Sequence, residues 1–219
     1  MTYLNIVNKV LRRLREDEVT TVAASIYSKL IGELVNDAKR VVEDAWNWSS
    51  LNTEIDVTTA SGTASYDLTG TNKRSRILYG FNKDEDLQLR LMGREQMRRL
   101  YDITTVQNES PSFYMFNGLS SSGELKVRLY PQPNSVESLV FHCVVPQDDL
   151  EVDGTDDSTN ITVSEHAVYL RAWANAISER GEDGGALWNE VDLKANNALA
   201  DAISYDKNHW GWETDWMPE

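Results

Sequence analysis

The spacing of apolar residues changes twice along this chain, and that change constrains the fold more than any other feature of the sequence. Near the beginning, Leu4, Val7 and Leu11 recur at the three- and four-residue intervals of an amphipathic helix. Between about residues 53 and 161, short apolar runs alternate with polar residues, as in half-buried strands. The helical period returns after Ser164. Because every apolar face must be buried against another element, this pattern predicts an α+β chain in which a β-rich insertion interrupts a helical domain.

Two amphipathic helices are predicted before the insertion. The first covers residues 2–16 and the second covers residues 21–48. Thr20 or Thr21 is the expected N-cap of the second helix, because a threonine hydroxyl can accept a hydrogen bond from a backbone N–H that the first turn leaves unpaired.

Two more helices are predicted after the insertion. Ser164 is the expected N-cap of the first, and Gly181 supplies the left-handed residue that often ends a helix. The second helix runs to about Asp206, and the short link between the two predicts an antiparallel bundle of helices from both chain ends. The expected buried face of the last helix consists of Leu187, Trp188, Val191, Ala195, Ala198, Leu199, Ala202 and Ile203.

The insertion contains short strand candidates separated by Gly, Asn, Ser and Pro, which is typical of an antiparallel sheet or a small barrel. The candidates cover residues 53–59, 64–68, 76–81, 87–92, 112–116, 125–130 and 139–145, and one short helix at 94–101 interrupts them. These assignments divide the chain into a helical bundle (1–52 and 162–206), a β-rich insertion (53–161) and an extended C-terminal tail (207–219).

The composition excludes several classes of function. The formal net charge is −14 at pH 7, so the surface as a whole repels nucleic-acid phosphates and anionic lipid. No apolar run is long enough to span a membrane and Met1 leads directly into an amphipathic pattern, so neither a secretory leader nor a transmembrane helix is expected. Cys143 is the only cysteine and lies in an apolar run, which predicts a buried, inert thiol.

No motif for catalysis, metal binding or cofactor binding is recognisable. His142, His166 and His209 have no neighbour at the spacing of zinc ligands. The chain has no Gly-rich phosphate loop and no serine nucleophile elbow. Residues 149–160 match part of a calcium-binding loop, but Asn160 stands where the bidentate Glu is needed. A solvated acidic connection is the preferred interpretation, and no catalytic residue, metal ligand or cofactor is assigned.

Basic residues form two local groups despite the acidic balance. One group lies on a predicted loop and the other on the short helix, and together they comprise Lys73, Arg74, Arg76, Arg94, Arg98 and Arg99. Such residues form solvated faces and ion pairs between subunits, or they contact an anionic partner such as DNA phosphates. No aromatic stacking platform accompanies them, which weakens the nucleic-acid interpretation.

Residues 210–219 hold three of the seven tryptophans and have neither a helical nor a strand pattern. Trp210, Trp212 and Trp216, together with Met217, offer a large apolar surface, and tryptophan is a frequent anchor in interfaces. The residues alone leave two alternatives. The tail packs back onto its own domain, or it docks into a partner.

The order of these parts resembles the head-to-tail adaptor proteins of short-tailed bacteriophages, of the tail tubular protein A type. The similarity extends over nearly the whole chain and rests on layout and local sequence rather than on a catalytic motif. The segments that carry it are NIVNKVLRRLRE at 5–16, VVEDAWNW at 41–48, PSFYMFNG at 111–118, LYPQP at 129–133 and ANAISERGEDGG at 174–185.

The resemblance implies a homododecameric ring that is seated beneath the portal protein and joined below to the nozzle or tail-tube protein. It implies that DNA passes through the lumen without sequence-specific binding, while the packaged genome is retained and when it is ejected. The implied location is the head-tail junction of the virion, after assembly in the host cytoplasm and without a membrane. Family members commonly dock on the portal through the C-terminal segment, and this role maps onto residues 207–219.

Two other functions stay open from the residues alone. A carbohydrate-binding module would use exposed tryptophans such as Trp212 and Trp216 to stack on sugars. A cell-wall hydrolase component of a tail would use a pair of Asp or Glu side chains. The structural adaptor is preferred because a ring subunit needs contact surfaces and no active site.

Overall fold

The computed structural model describes residues 1–102, 105–182 and 185–209, and these residues form a mixed α+β chain with two compact units. The helical unit comprises Met1–Leu51 and the chain from Gln147 onward. The β unit comprises Asn52–Pro146. The mixture of helices and strands confirms the predicted α+β class.

Five α-helices and seven strands lie within the described residues. The helices are α1 (Tyr3–Arg13), α2 (Ile26–Ala45), α3 (Arg94–Asp102), α4 (Glu165–Ile177) and α5 (Ala186–Lys207). The strands are β1 (Asn52–Thr58), β2 (Ser65–Leu68), β3 (Arg76–Asn82), β4 (Leu87–Leu91), β5 (Phe113–Leu119), β6 (Leu125–Tyr130) and β7 (Ser138–Val144). In these described ranges, none of the helices is both long and apolar enough to cross a membrane.

The start of α2 differs from the prediction. Thr21 caps only a short 3-10 turn at Val22–Ala24. The N-cap of α2 is Ser25, whose Oγ accepts a hydrogen bond from Ser28 N at 2.9 Å, while Ser28 Oγ accepts one from Ser25 N at 2.9 Å. Because this reciprocal capping box satisfies two backbone donors, the helix begins after Ser25 and neither predicted threonine caps it.

The core of the helical unit forms where α1 and α2 contact α4. The close approach of α1 to α2 depends on Gly32, since a Cβ there would lie 2.6 Å from Tyr3 Oη and 2.9 Å from a methyl carbon of Val22. Tyr3 is completely buried, and burial raises the pKa of its hydroxyl. Other buried side chains of this unit include Ile6, Val7, Val10, Ile31, Val35, Val168 and Ile177.

Residues 147–150 belong to the helical unit because polar side chains of α2 bind their backbone. Asn36 Nδ2 donates to Leu150 O at 2.8 Å, and Asn36 Oδ1 accepts from Leu150 N at 3.0 Å. Lys39 is also buried, and its Nζ donates to two carbonyl oxygens of the same segment. The division between the units therefore falls after Pro146, whereas the sequence pattern placed it near residue 161.

The link between α4 and α5 is a π turn at Ser178–Glu182. Within it, Gly181 has a φ of 75°, the left-handed conformation expected from the sequence. Arg180 Nε donates to Tyr27 Oη at 2.8 Å, which ties the turn to α2. Ser164 is the N-cap residue of α4, as predicted, although its side chain makes no capping hydrogen bond.

The β unit is a seven-stranded, nearly closed sheet with the order β1-β7-β3-β4-β5-β6-β2. Its strand pairs are antiparallel except for β4 and β5, which pair in parallel at Arg90–Phe113 and Leu91–Tyr114. The prediction of an antiparallel sheet is wrong for this pair. The cause is α3, which lies between the two strands in the chain and supplies the crossover that parallel strands require.

The chain enters and leaves the β unit on neighbouring strands. Strands β1 and β7 pair so that Asn52 lies opposite Val144. The first residue of the unit and the end of its last strand are therefore close together.

Inward-facing side chains of the sheet form one apolar core, which consists of Ile55, Val57, Leu68, Leu89, Tyr114, Leu125, Val127, Leu129, Leu139, Phe141 and Cys143. Gly80 gives the Phe141 ring its place in this core. A Cβ at Gly80 would lie 2.8 Å from two carbons of that ring, which is closer than packed carbon atoms allow.

Candidate interaction surfaces

The end of α5 is held against the end of α2 by a group that we call the Asp206 clamp, formed by Asp206, Trp46, Ser49 and Lys207. The buried Asp206 carboxylate accepts hydrogen bonds from Trp46 Nε1 at 3.1 Å, Ser49 Oγ at 2.6 Å and Ser49 N at 3.0 Å. Lys207 Nζ lies 5.0 Å from the centre of the Trp46 ring. The helix therefore ends at a defined point of the helical unit.

The predicted tail follows directly on this clamp. Lys207 is still part of α5, and the backbone closes a turn in which His209 N donates to Asp206 O at 2.9 Å. The anchors assigned from the sequence, Trp210, Trp212, Trp216 and Met217, lie outside the described residues. The tryptophans on which the carbohydrate-binding alternative depends lie there as well.

The predicted buried face of α5 is only partly covered. Val191 and Ala195 are buried, but Leu187 is exposed. Leu193 is 60% exposed and Tyr205 is 72% exposed, although both are large and apolar in character. The other predicted face residues are half-buried: Trp188, Ala198, Leu199, Ala202 and Ile203. The face prediction is thus right at Val191 and Ala195 and wrong at Leu187. Together with Leu193 and Tyr205, Leu187 leaves apolar surface exposed on α5.

A groove of about 430 Å³ lies between α4 and α5 on one flank of this face. Its lining combines Leu170, Ala198 and Tyr205 with the charged side chains of Lys194 and Asp201. Apolar side chains with charges beside them are typical of surfaces that bind a protein segment.

A second surface combines cations of α1 with aromatic rings of α4. Lys9 Nζ lies 4.2 Å from the centre of the Tyr169 ring, and Arg13 Nε donates to Tyr169 Oη at 2.7 Å. The Arg13 guanidinium is also 5.1 Å from the Trp173 ring, which stacks on Tyr169 with 6.3 Å between centroids. Since both pairs are spaced i and i+4 on their helices, they meet side by side. Neither cation has a carboxylate partner in the described part of the chain, which suits this surface to an anionic partner.

The predicted basic loop group is partly built into the sheet. Lys73 and Arg74 occupy a turn before β3, and Arg76 is the first residue of β3, where it pairs with Val144 of β7. Asn72 Oδ1 accepts from Arg74 N at 3.0 Å and orders this turn. Lys73 is exposed, whereas Arg74 and Arg76 are half-buried, so the three residues are not presented equally.

The predicted basic helix group is presented to solvent. Arg94, Arg98 and Arg99 are exposed on α3, and among residues 1–102, 105–182 and 185–209 no carboxylate forms an ion pair with them. The opposite side of α3 buries Met97. That side packs on a cluster formed by Met92, Met115 and Tyr130. Three guanidinium groups on one short helix, with no acidic neighbour paired to them, can bind carboxylates or phosphates.

The cysteine and the histidines have structural surroundings. Cys143 is completely buried, as predicted, and burial raises the pKa of its thiol to about 12. The His142 ring lies 4.6 Å from the Tyr79 ring, and the His166 ring lies 6.4 Å from the Tyr169 ring. Within the part of the chain that the structure describes, no group of three or more His, Cys, Asp or Glu side chains is placed to hold a metal ion.

The acidic loop that partly matches a calcium motif uses its carboxylates to bind its own backbone and the neighbouring turn. Asp156 Oδ2 accepts from Glu151 N at 2.8 Å, and Asp157 Oδ1 accepts from a backbone amide of the turn before α2 at 3.2 Å. Asp153 accepts from Thr155 N at 2.8 Å, and the hydrogen bonds from Thr155 lower the pKa of Asp153. These contacts support the interpretation as a structural acidic connection.

The sequence of this chain was compared with models of protein families and with curated protein sequences. The family model for the SU10 adaptor protein matches residues 1–208, which covers the β unit and the helical unit through α5. No curated protein sequence matches this chain significantly.

Proposed function

This chain belongs to the SU10 adaptor protein family, and on that premise we propose that it is a structural protein of a bacteriophage virion, the head-to-tail adaptor. The observation that carries the proposal is the extent of the family match, which runs through both units to residue 208. The adaptor stands at the head-tail junction between the portal and the tail nozzle or tube, after assembly in the host cytoplasm. Its role is structural and not enzymatic.

The assembled form in this proposal is a homododecameric ring. Each subunit of a ring makes heterologous contacts, in which one surface meets a different surface of the next copy. Two surfaces of the helical unit support such contacts: the exposed apolar surface of α5 and the Lys9–Arg13 surface on α1. An acidic chain gains from such cations, because they offset repulsion between neighbouring copies.

The lumen of the ring passes DNA without gripping it. With a net charge of −14, the subunit binds few phosphates and releases few counterions, so DNA moves along the channel with little resistance. The basic residues Lys73, Arg74, Arg76, Arg94, Arg98 and Arg99 contact either the DNA or the neighbouring subunit. The exposed arginines of α3 are the best placed of these for either role.

The C-terminal tail docks onto the portal. Trp210, Trp212, Trp216 and Met217 are the anchors in this proposal, since large aromatic side chains contribute most to interface affinity. The SU10 adaptor match ends at residue 208 and does not include them, so their role rests on the sequence of this chain.

Electron microscopy of the purified protein, alone and mixed with its portal, tests the proposal. A ring seated on the portal is the expected result, and no association at high concentration of both proteins would contradict it. Because α5 extends to Lys207, the informative truncation ends the chain after His209. The shortened protein is expected to keep its thermal unfolding midpoint and lose portal docking. A loss of folding would instead show that the tail packs on its own domain.

The salt dependence of affinity for a DNA duplex can distinguish whether the α3 arginines contact DNA or a neighbouring subunit. Replacing Arg94, Arg98 and Arg99 by alanine is expected to reduce the slope of log affinity against log salt for a short duplex by about 2–3, at roughly 0.9 per lost phosphate contact. Lys29→Ala, at an exposed position of α2, is the control. An unchanged slope with weaker ring assembly would assign the arginines to the subunit interface.

A further inference from the structure

We propose that Asp206 is a positioning residue for portal docking: it fixes the point and direction at which the C-terminal tail leaves the helical unit. This inference rests on the proposed docking role of the tail. It goes beyond that role because it concerns a buried carboxylate that lies outside the tail and does not contact the portal.

The geometry of the carboxylate carries the inference. Asp206 is 8% exposed although it is an acid near the end of a surface helix. Both of its oxygens accept hydrogen bonds, Oδ2 from Trp46 Nε1 and Ser49 N, and Oδ1 from the Ser49 hydroxyl. Bonds to an ionised acceptor are about twice as strong as neutral ones. The last turn of α5 is therefore joined to residues 46–49 by directional contacts.

The backbone after Asp206 closes a turn at the end of α5. His209 N donates to Asp206 O at 2.9 Å, and Asn208 N donates to Tyr205 O at 3.2 Å. On the other side of the carboxylate, Lys207 covers the Trp46 ring at 5.0 Å. His209, the last described residue, is thus joined through this turn to the residue whose side chain forms the clamp. Trp210 is the next residue in the chain.

Such a fixed exit increases the affinity of docking. A tail that leaves from one point needs less ordering when it binds, and the entropy lost on ordering side chains opposes binding. Release of the clamp lets the last turn of α5 fray, so the first anchor starts from many positions. We expect portal affinity per folded molecule to fall about tenfold, which corresponds to ~1.4 kcal/mol.

Asp206→Asn tests the chemistry with little change in shape. The amide keeps one acceptor oxygen but turns an NH₂ group toward a donor, so at least one of the Trp46 and Ser49 contacts is lost. Trp46→Phe removes the indole donor by a second route. Glu190→Gln, at an exposed position on the same helix, is the matched control.

The position of the exit can be measured without the portal. Spin labels on cysteines introduced at the exposed positions Lys29 and His209 report a distance within the helical unit. The native Cys143 stays unlabelled because it is buried. A narrow distance distribution is expected, broadened by Asp206→Asn and Trp46→Phe but not by Glu190→Gln. Equal widths in all variants would overturn the inference.

Portal binding then separates this inference from the proposed function. The measurement compares the full-length chain, Asp206→Asn and the chain ending at His209, each corrected for its folded fraction. If the truncated chain binds as tightly as the full-length chain, the docking role of the tail fails. If the truncation abolishes binding but Asp206→Asn binds normally per folded molecule, Asp206 only stabilises the fold and the positioning role is refuted.

Discussion

Replacing Asn36 by alanine is expected to destabilise the helical unit by about 2–6 kcal/mol. Asn36 is 8% exposed and makes two hydrogen bonds to the backbone of Leu150, at 2.8 and 3.0 Å. Alanine leaves the amide and the carbonyl of the buried Leu150 without these partners, and each buried group left unpaired costs about 1–3 kcal/mol. The sum is a large share of the ~5–15 kcal/mol that separates folded from unfolded proteins.

The substitution of Asn36 is also expected to have a local effect at Leu150. Asn36 joins α2 to the segment that returns from the β unit, so the Leu150 amide is expected to lose protection when the bond is removed. Hydrogen exchange of a peptide covering residues 147–152 reports this local opening, and urea unfolding reports the loss of global stability.

Two further variants show whether the loss of stability comes from the missing hydrogen bonds or from the missing side-chain volume. Asn36→Leu restores most of the volume but leaves the same backbone groups unpaired, so a loss similar to that of alanine is expected. Asn189→Ala, at an exposed position of α5, is expected to change stability by less than about 0.5 kcal/mol. If Asn36→Ala stays within that limit as well, or if Asn36→Leu is as stable as the native chain, the assignment of this bond as the link between α2 and residues 147–150 is refuted.

Three further predictions concern packing, capping and titration. Gly80→Ala is expected to cost about 1–3 kcal/mol in urea unfolding, because its Cβ would lie 2.8 Å from the Phe141 ring; an unchanged midpoint would contradict this contact. Ser25→Ala is expected to cost about 1 kcal/mol and Thr20→Ala almost nothing, and equal effects would remove the capping box as the start of α2. Cys143 is expected to react with a thiol reagent at pH 8 only as fast as the β unit opens. Because its folded pKa of about 12 exceeds the unfolded value, its contribution to stability is complete below that unfolded value and declines as the pH rises toward 12, which urea unfolding at pH 7 and pH 10 can measure.

The helices and strands could be predicted from the sequence because each keeps one hydrophobic period over its whole length. The strand β6 was placed at its observed bounds, and the core of α5 was found at Val191 and Ala195. Periodicity reports which side of an element is apolar. It does not report which other element covers that side, and for this reason the exposed Leu187 was assigned to the core.

Features that depend on polar side chains across long separations could not be predicted. Asn36 and Lys39 have the polar character of a solvated helix face, yet both are buried against a segment more than a hundred residues later. Asp206 was predicted as the approximate end of a helix but not as an acceptor for Trp46. In each case the residue type allows several roles, and only the fold selects one.

The candidate surfaces could likewise be predicted only in part. The helical period predicts that Lys9 and Arg13 lie outside the apolar face of α1. The sequence alone does not predict that Tyr169 and Trp173 of α4 lie beside them. The parallel pairing of β4 and β5 was missed although the short helix between them was found. A crossover helix permits parallel pairing without requiring it.

The insertion of the whole β unit between α2 and α4 has a consequence during translation. Asn52–Pro146, roughly 100 residues, leaves the ribosome after α1 and α2 and before α4. At about 5–20 residues per second, this takes roughly 5–20 s. For that interval the first two helices lack α4, which covers part of their apolar sides in the folded protein. Because Asn52 and Val144 are neighbours, folding of the sheet brings the two halves of the helical unit together, so the nascent sheet acts as the closing device for the helices that flank it.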